Sequence, residues 1–354
     1  MLAGVLVASS CSSSKKSASA ASTAGSSSAA TEPGMTPTTI TVGTVADVSG
    51  PVPGILEGAW YGMQAFAAYI NSVGGVDGRK LVIKTGDSGL ACATSTTAMQ
   101  ALVNQVFAFV GDFVVNDACQ APIMQANPTL SNVSYALSKT MGDEANNYPV
   151  APQPPGWRTG PFQYFKAHLS NGQLNAGGLY AASGQNPITW SGLKGALTQV
   201  GYKVVYERAT QPTETDFTAD VIRMKNAGVQ FLDLDVEDVA TTARVIDAAY
   251  QQNWHPKVID TSGSYDAHFF KLLANPTAAD GIYNDQLFSL FLGEDNATTP
   301  EVKLFTDWMT KTKPGVSPDL FAMYGWASGA LFVEAVKKAA AYGKSYKERY
   351  SELR

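Results

Sequence analysis

The spacing of apolar residues changes twice between residues 39 and 87. Residues 39–46 are β-branched or small, which predicts a buried strand that ends at the turn-forming residues 47–51. From Glu57 the apolar residues recur at helical spacing, which predicts a helix with one apolar face. The residues on that face are Trp60, Met63, Ala67 and Ile70.

A pair of glycines predicts where this helix ends. Gly74 and Gly75 follow its last apolar residue, and glycine adopts the left-handed conformation of a helix end at the lowest cost. Residues 81–85 then read as a second strand. Because a helix joins the two strands, the strands are predicted to be parallel.

The same alternation continues along the chain. Strands are predicted at residues 107–111, 130–137, 177–181, 203–206, 229–234 and 258–261. Helices are predicted at 93–106, 116–125, 162–169, 190–200, 216–227, 239–251, 301–311 and 320–341, the last burying Leu331 among others. Residues 281–288 are predicted to lead back to the first half, and the proline-rich residues 146–161 to connect the halves. The fold class is therefore α/β, with doubly wound parallel sheets in two lobes.

Composition excludes several classes of function. The 354 residues carry a formal net charge of -5 with scattered Lys and Arg, so the sequence predicts no nucleic-acid partner. His168, His255 and His268 lack the spacing of zinc ligands, and no phosphate loop or nucleophile elbow occurs. We therefore expect no metal, no cofactor and no enzymatic activity. The sequence contains no run of about 20 apolar residues, so it predicts no membrane-spanning helix.

The first 38 residues have the character of an export and anchoring segment. Residues 1–10 are apolar and end in small residues, as a signal peptide does, although an arbitrary apolar N-terminus is the alternative. Cys11 is similar to the lipidated cysteine of a bacterial lipobox. Residues 11–38 are mostly Ser, Ala, Thr, Gly and Pro, which predicts a flexible tether. The expected location is the outer face of the cytoplasmic membrane.

Three features together resemble one known family. They are a first strand that ends in Ser49-Gly50-Pro51, the turn from Gly74 to Lys80, and Asp87 at the end of the second strand. These motifs resemble those of the type I periplasmic binding proteins, specifically the leucine/isoleucine/valine-binding group of ABC importers. The resemblance implies two Rossmann-like lobes, joined by a hinge, that close on a small molecule. Lobe I is predicted at 39–157 and 286–354, and lobe II at 158–285.

The resemblance also implies a disulfide. Cys92 and Cys119 lie where several relatives carry a bridge, after the second and third strands. In an exported chain two such cysteines are most simply paired, and two buried thiols are the alternative.

Ligands in open α/β sheets bind beyond the carboxyl ends of strands, so the strand assignments select the candidate contacts. In lobe I each candidate has a structural alternative: a tight turn for the first loop, a helix cap for Asp117, and a core position for Tyr135. A carboxylate at Asp117 also argues against the amino-acid carboxylate that relatives bind there. The lobe I candidates are Ser49, Gly50, Val115, Asn116, Asp117, Tyr135, Ala136 and Ser138.

In lobe II a group of carboxylates ends the strand after Phe231, and these could accept hydrogen bonds from an ammonium group. The alternative is that Asp235 caps a helix. Trp190 is either a lid on the ligand or the start of its helix. The lobe II candidates are Trp190, Asp235, Glu237, Asp238, Ser262 and Tyr265.

The predicted function is therefore ligand capture for an ABC permease, with an amino acid or amide as ligand. An aromatic or apolar metabolite, a sensory receptor without transport, and a secreted α/β enzyme are the alternatives.

Overall fold

The computed structural model describes residues 32–151, 157–260 and 264–341. Its strands form two five-stranded sheets, and the strand pairs are parallel. The first sheet contains β1 (Thr39–Ala46), β2 (Lys80–Asp87), β3 (Ala108–Asp112), β4 (Ser131–Ser134) and β5 (Asn147–Pro149). The second contains β6 (Asn175–Ala181), β7 (Lys203–Thr210), β8 (Phe231–Val236), β9 (Lys257–Asp260) and β10 (Ile282–Asn284).

Both sheets have the same strand order. The first runs β2-β1-β3-β4-β5 and the second runs β7-β6-β8-β9-β10. In each sheet the first strand along the chain therefore lies between the second and the third. The chain segments that follow the two central strands therefore run towards opposite edges of the sheet. Such a switch point leaves a crevice at the carboxyl ends of these strands. The predicted α/β fold with two doubly wound lobes is confirmed.

Six helices cover the first sheet. They are α1 (Glu57–Ser72), α2 (Cys92–Leu102), α3 (Ala121–Ala126), α4 (Lys139–Gly142), α10 (Pro300–Thr312) and α11 (Leu320–Ala341), with a 3-10 turn at Asp117–Cys119. The apolar stripe of α1 is buried at Met63, Ala67 and Ile70 against the core that α10 and α11 share with it. The helix ends where predicted, with Gly74 and Gly75 in the left-handed region.

Helices α1 and α11 approach each other closely, because glycines lie at their contact. A Cβ atom on Gly62 would lie 1.9 Å from the carbonyl oxygen of Ala322, and one on Gly325 would lie 2.4 Å from that of Ala59. Residues 320–324 begin α11, so this contact also fixes residues that face the second lobe.

The second sheet is covered by α5 (Gly160–His168), α6 (Asn186–Val200), α7 (Thr218–Asn226), α8 (Val239–Gln251) and α9 (Phe269–Leu272), with a 3-10 turn at Pro276–Ala279. Its apolar core lies on both faces of the sheet. The expected return of 281–288 to the first half begins later than predicted, because Ile282–Asn284 pairs with β9 as the last strand of the second sheet.

Other expectations differ from the structure. The prediction that Leu331 is buried is wrong, since its side chain is 44% exposed. Residues 32–38, at the end of the predicted tether, fold back on β1: Met35 bridges Ile40, and the Thr41 amide donates to the Gly34 carbonyl at 2.7 Å. The predicted signal peptide and Cys11 lie outside the described residues. In the part that is described, no helix is long and apolar enough to cross a membrane.

Candidate functional site

One cavity of about 430 Å³ lies between the carboxyl ends of the two sheets. From the first sheet, loops after β1, β3 and β4 line it, and from the second sheet the residues that end β6, β7 and β8 do so. The first turn of α11, the first turns of α6 and residues 157–158 also line it. This is the crevice that the strand order predicts, and its volume lies within the usual range of small-molecule sites.

The first-lobe wall of the cavity is aromatic. Phe113 follows β3 and Tyr135 follows β4, and their ring centroids are 4.4 Å apart. Tyr324 lies 4.5 Å from Tyr135, and Phe321 lies 5.1 Å from Phe113. The hydroxyl groups of Tyr135 and Tyr324 are hydrogen-bonded, and burial raises the pKa of both phenols. Rings that pack at these distances stabilise one another, so the four side chains form one continuous aromatic surface.

The loops beneath that wall are held by a buried carboxylate. Asp47, 0% exposed at the end of β1, accepts hydrogen bonds from the amides of Leu90 at 2.8 Å and Val115 at 2.7 Å, and from the Ser88 hydroxyl. Burial raises the pKa of Asp47 while these donors lower it. One side chain thus ties together the loops that follow three strands.

The second-lobe wall is acidic. Glu237 is buried, accepts a hydrogen bond from the Thr210 hydroxyl at 2.6 Å, and has its pKa raised by desolvation to about 8. Asp238 caps α8 by accepting from the amides of Ala240 at 2.9 Å and Thr241 at 3.0 Å. Asp235 also lines the cavity. At neutral pH Glu237 is therefore mostly protonated and can donate a hydrogen bond.

Two further charged features were not predicted from the sequence. Arg158 forms an ion pair with Asp285, and these residues lie in the two segments that run between the lobes. Asp319 accepts a hydrogen bond from the Ala322 amide at 2.7 Å, and burial raises its pKa to about 6. Arg158 lies within the predicted proline-rich connector (146–161), which was the available signal for it. Asp319 precedes a predicted helix as a capping residue would.

No group of three or more His, Cys, Asp or Glu side chains within the described ranges has the arrangement of a metal site. What the cavity offers instead is an apolar surface opposite a set of hydrogen-bonding groups. Such a surface binds and orients a small molecule.

Comparison with known proteins identifies the family to which this chain belongs. The family model described as a periplasmic binding protein matches residues 39–349. The chain belongs to the periplasmic binding protein family. Members of this family are solute-binding proteins. Among curated proteins, no sequence matches significantly.

Solved structures of other periplasmic binding proteins share the fold at low sequence identity. The fatty acid ABC transporter substrate-binding protein from Thermomonospora curvata is 18% identical, with a TM-score of 0.74 over 91% of this chain and 81% of that one. LivJ from Streptococcus pneumoniae, in complex with isoleucine, is 18% identical, with a TM-score of 0.72 over 89% and 87%. A solute-binding protein from Rhodopseudomonas palustris BisB5, in complex with 3,4-dihydroxybenzoic acid, is 16% identical, with a TM-score of 0.70 over 88% and 84%.

The structure brings six of the predicted contacts of this periplasmic binding protein to the cavity. They are Val115, Tyr135, Ala136, Asp235, Glu237 and Asp238. The helix cap expected at Asp235 is made by Asp238, which lies directly before α8. Ser262 lies outside the described residues.

Four predicted lobe I contacts are not part of the cavity lining and have structural roles. Ser49 donates its amide to Asp87 at 3.1 Å, and Gly50 has φ 106°, with space for a Cβ atom filled by the Gly89 carbonyl. Asn116 donates its side-chain amide to the Leu90 carbonyl at 3.0 Å. Ser138 caps α4 by accepting from the Met141 amide at 3.0 Å. The turn is therefore a structural one, and Ile55 from the same loop reaches the cavity instead.

The carboxylate of Asp117 is buried and points at the backbone of the next loop. It accepts hydrogen bonds from the amides of Leu137 at 2.7 Å and Ser138 at 3.0 Å. Its pKa is raised by burial and lowered by these donors. Asp117 thus fixes the loop that carries Tyr135, and its place is behind the wall.

Two predicted lobe II contacts are core residues. Trp190 is 3% exposed, stacks on Tyr180 with ring centroids 5.5 Å apart, and donates its indole N–H to Glu207 at 2.7 Å. The hydroxyl of Tyr265 donates to Glu294 at 3.0 Å and accepts from the Leu292 amide at 3.2 Å. Next to Tyr265, Asp266 lines the cavity.

The structure joins Cys92 and Cys119 in a disulfide with an S–S distance of 2.00 Å. Cys92 is the first residue of α2 and Cys119 ends the 3-10 turn after β3. The bridge therefore connects the segments that follow β2 and β3, close to the loops that Asp47 holds.

Proposed function

We propose that this chain is the extracytoplasmic ligand-capturing component of an ABC importer, and that its ligand is an apolar or aromatic metabolite with an amine or amide head. The observation that carries the proposal is the contrast between the two walls of the cavity. The first lobe supplies the aromatic rings Phe113, Tyr135, Phe321 and Tyr324, and the second lobe supplies four of the five acidic side chains of the described lining.

The first-lobe wall selects an apolar body. Ile55, Leu56 and Leu137 extend the surface formed by Phe113 and Tyr135. An aromatic ring buried there loses roughly 100 Å² of water-accessible surface, which contributes about 2.5 kcal/mol at about 25 cal/mol per Å². Free leucine or isoleucine offers less apolar surface than a ring with a side chain. Larger apolar ligands should therefore bind more tightly.

The charges of the lining select the head group. Within the described residues, the lining contains one basic side chain, Arg158, and it is already paired with Asp285. Five acidic side chains line the cavity, and since Glu237 is mostly protonated at neutral pH, the negative charge comes from the other four, which are Asp235, Asp238, Asp266 and Asp319. A site lined by carboxylates attracts cations and repels anions. An ammonium or amide group, which donates hydrogen bonds, fits this edge better than a carboxylate does.

The position of Asp117 supports the same choice. The resemblance to amino-acid-binding relatives implies small hydroxyl residues and free N–H groups at this point, where they hold a ligand carboxylate. In this chain Asp117 stands at that point, and its carboxylate accepts hydrogen bonds from the adjacent Ala118 amide and from the amides of Leu137 and Ser138 in the neighbouring loop. A free amino acid would therefore lack these donors for its carboxylate, and an amine without a carboxylate does not need them.

The remaining parts of the proposal concern export and motion. We infer that residues 1–10 are a signal peptide, that Cys11 carries a lipid, and that the protein catalyses no reaction. We also infer that lobe I (39–157 and 286–354) and lobe II (158–285) close on the ligand, because residues of both lobes line one cavity. Ligand then shifts the population towards the closed form, which the permease recognises.

A panel of ligands with one shared body and different heads tests the proposal. Phenethylamine, 3-phenylpropanamide and 3-phenylpropanoate are added to the full chain, and thermal unfolding is followed. Saturation at ~100 times the dissociation constant stabilises the folded state by about 2.7 kcal/mol. We expect the amine and the amide to raise the melting temperature and the carboxylate to leave it unchanged.

Asp235→Asn is the variant that should change the order of the melting-temperature shifts within this panel. It removes one charge from the acidic wall and should weaken the amine at least fivefold more than the amide. Asp307→Asn is the matched control, since Asp307 is 59% exposed on α10. A larger shift with 3-phenylpropanoate than with phenethylamine would refute the assigned head group. No shift with any ligand of the panel would refute the apolar body.

A further inference from the structure

A second cavity lies at the opposite edge of the second sheet. Its volume is about 270 Å³, and residues at the beginnings of β7, β8 and β9 border it. Phe231 at the start of β8 lines this cavity, and Val236 at the end of β8 lines the cleft. At about 3.3 Å per residue the two sites are roughly 17 Å apart. The second cavity is therefore separate from the ligand cleft.

One fully buried polar atom in this cavity has no partner within the described ranges, the side-chain carbonyl oxygen of Gln230. Tyr202 as a whole residue is 3% exposed, and its hydroxyl, which is not among the fully buried atoms, makes no hydrogen bond with the described residues. Desolvation raises the pKa of Tyr202 to about 12. An unpaired buried oxygen costs free energy, which an occupant with a matching donor would recover.

The rest of the lining favours a flat occupant without a positive charge. Phe231 packs against Phe165 at 4.9 Å and against Tyr202 at 5.0 Å, and the Trp254 ring borders the same space. The described lining contains no Asp or Glu, and its basic residues are His255 and Lys257. Aromatic faces stack on planar rings. A cavity of about 150 Å³ already holds benzene, so this one has room for a substituted ring.

We propose that this cavity is a second binding site, for a small planar aromatic molecule that carries a hydroxyl or amide group. The ring packs against Phe231 and Trp254. Its polar substituents exchange hydrogen bonds with the Tyr202 hydroxyl and the Gln230 carbonyl oxygen. The competing occupant is water, which satisfies the same polar atoms but gains nothing from the rings.

The probe is 4-hydroxybenzamide, added to the full chain labelled with 5-fluorotryptophan and followed by fluorine NMR. Trp254 reports on the second cavity and Trp157 on the cleft. Each resonance is assigned by Trp→Phe substitution. We expect the Trp254 resonance to shift in a saturable way, with its own midpoint. A shift at Trp157 alone would place the probe in the cleft and overturn the second site without affecting the proposed function.

Tyr202→Phe removes the unpaired hydroxyl and keeps the ring. We expect it to weaken the Trp254 response about fivefold, as the loss of one net hydrogen bond does. Tyr180→Phe is the control, because Tyr180 lies on the neighbouring strand β6 and borders neither cavity. Equal midpoints for Tyr202→Phe and the unchanged chain, or no saturable Trp254 shift, would mean that water alone fills the cavity.

Discussion

Replacement of Gly62 by alanine tests the contact that holds the aromatic wall of the cleft. The added Cβ would lie 1.9 Å from the Ala322 carbonyl oxygen, whereas real Cβ atoms essentially never come within 3.0 Å of a neighbour. The obstacle is backbone, so no side chain can rotate away from it. Helix α11 therefore has to move by about 1 Å or more relative to α1.

The magnitude follows from two opposing effects. Alanine favours the helical backbone over glycine by about 0.5–1 kcal/mol, and overpacking of a core contact costs about 1–3 kcal/mol. Because the contact is with backbone, we take the upper end of that cost and expect a net loss of about 2 kcal/mol. Gly195 in α6 is the matched control, since no atom lies within 4 Å of its Cβ position. Gly195→Ala should stabilise the protein by about 0.5–1 kcal/mol.

Urea unfolding of the two variants gives the comparison. The expected difference between Gly195→Ala and Gly62→Ala is about 3 kcal/mol, with similar m-values. Since α11 carries Phe321 and Tyr324, which line the cleft, Gly62→Ala should also weaken ligand binding. We expect an increase in the dissociation constant of about tenfold, which corresponds to a loss of about 1.4 kcal/mol of binding free energy. If Gly62→Ala were as stable as Gly195→Ala, the close packing of α1 and α11 would be refuted.

Two further predictions concern the second-lobe wall and the disulfide. The folded-state pKa of Glu237 is raised from 4.5 to about 8, so ionisation opposes folding and stability falls as pH rises through that window. Relative to Glu237→Gln, the unchanged chain should lose about 1 kcal/mol of unfolding free energy per pH unit between pH 5 and 8, measured by urea unfolding. A stability difference between the two chains that does not change with pH would contradict this. Paired Cys92→Ser and Cys119→Ser substitutions should cost about 3.5 kcal/mol on the chain-entropy model for a separation of 27 residues, and a reductant should destabilise only the unchanged chain.

Much of the fold could be predicted because its signals are local. The stripe of α1 and the glycines after it set the limits of that helix within a few residues. The helix Val239–Gln251 has the bounds that its apolar spacing predicts. Alternation of strands and helices then determines a parallel sheet, because each connection has to cross a face of the sheet.

The site was harder to predict because it depends on which loops meet. The predicted carboxyl ends of the strands fall within about four residues of the observed ends, and six candidate residues near those ends line the cavity. Sequence distance does not show that Asp117 reaches the amides of Leu137 and Ser138, about 20 residues away. Nor does it show that Trp190 turns onto Tyr180, or that Tyr324 of α11 reaches Tyr135. These pairings arise only when distant segments pack.

The two lobes share one strand order, yet their switch points carry different chemistry. After β3 and β4 the chain places Phe113 and Tyr135, whereas at the end of β8 it places Asp235 and Glu237. Neither wall alone matches an amphipathic molecule, because the aromatic wall leaves a polar head unpaired and the acidic wall leaves an apolar body in water. For the amphipathic ligand that we propose, full affinity therefore requires both lobes at once. Under that proposal, contact with both walls stabilises the closed arrangement over an open one in which the ligand contacts a single wall.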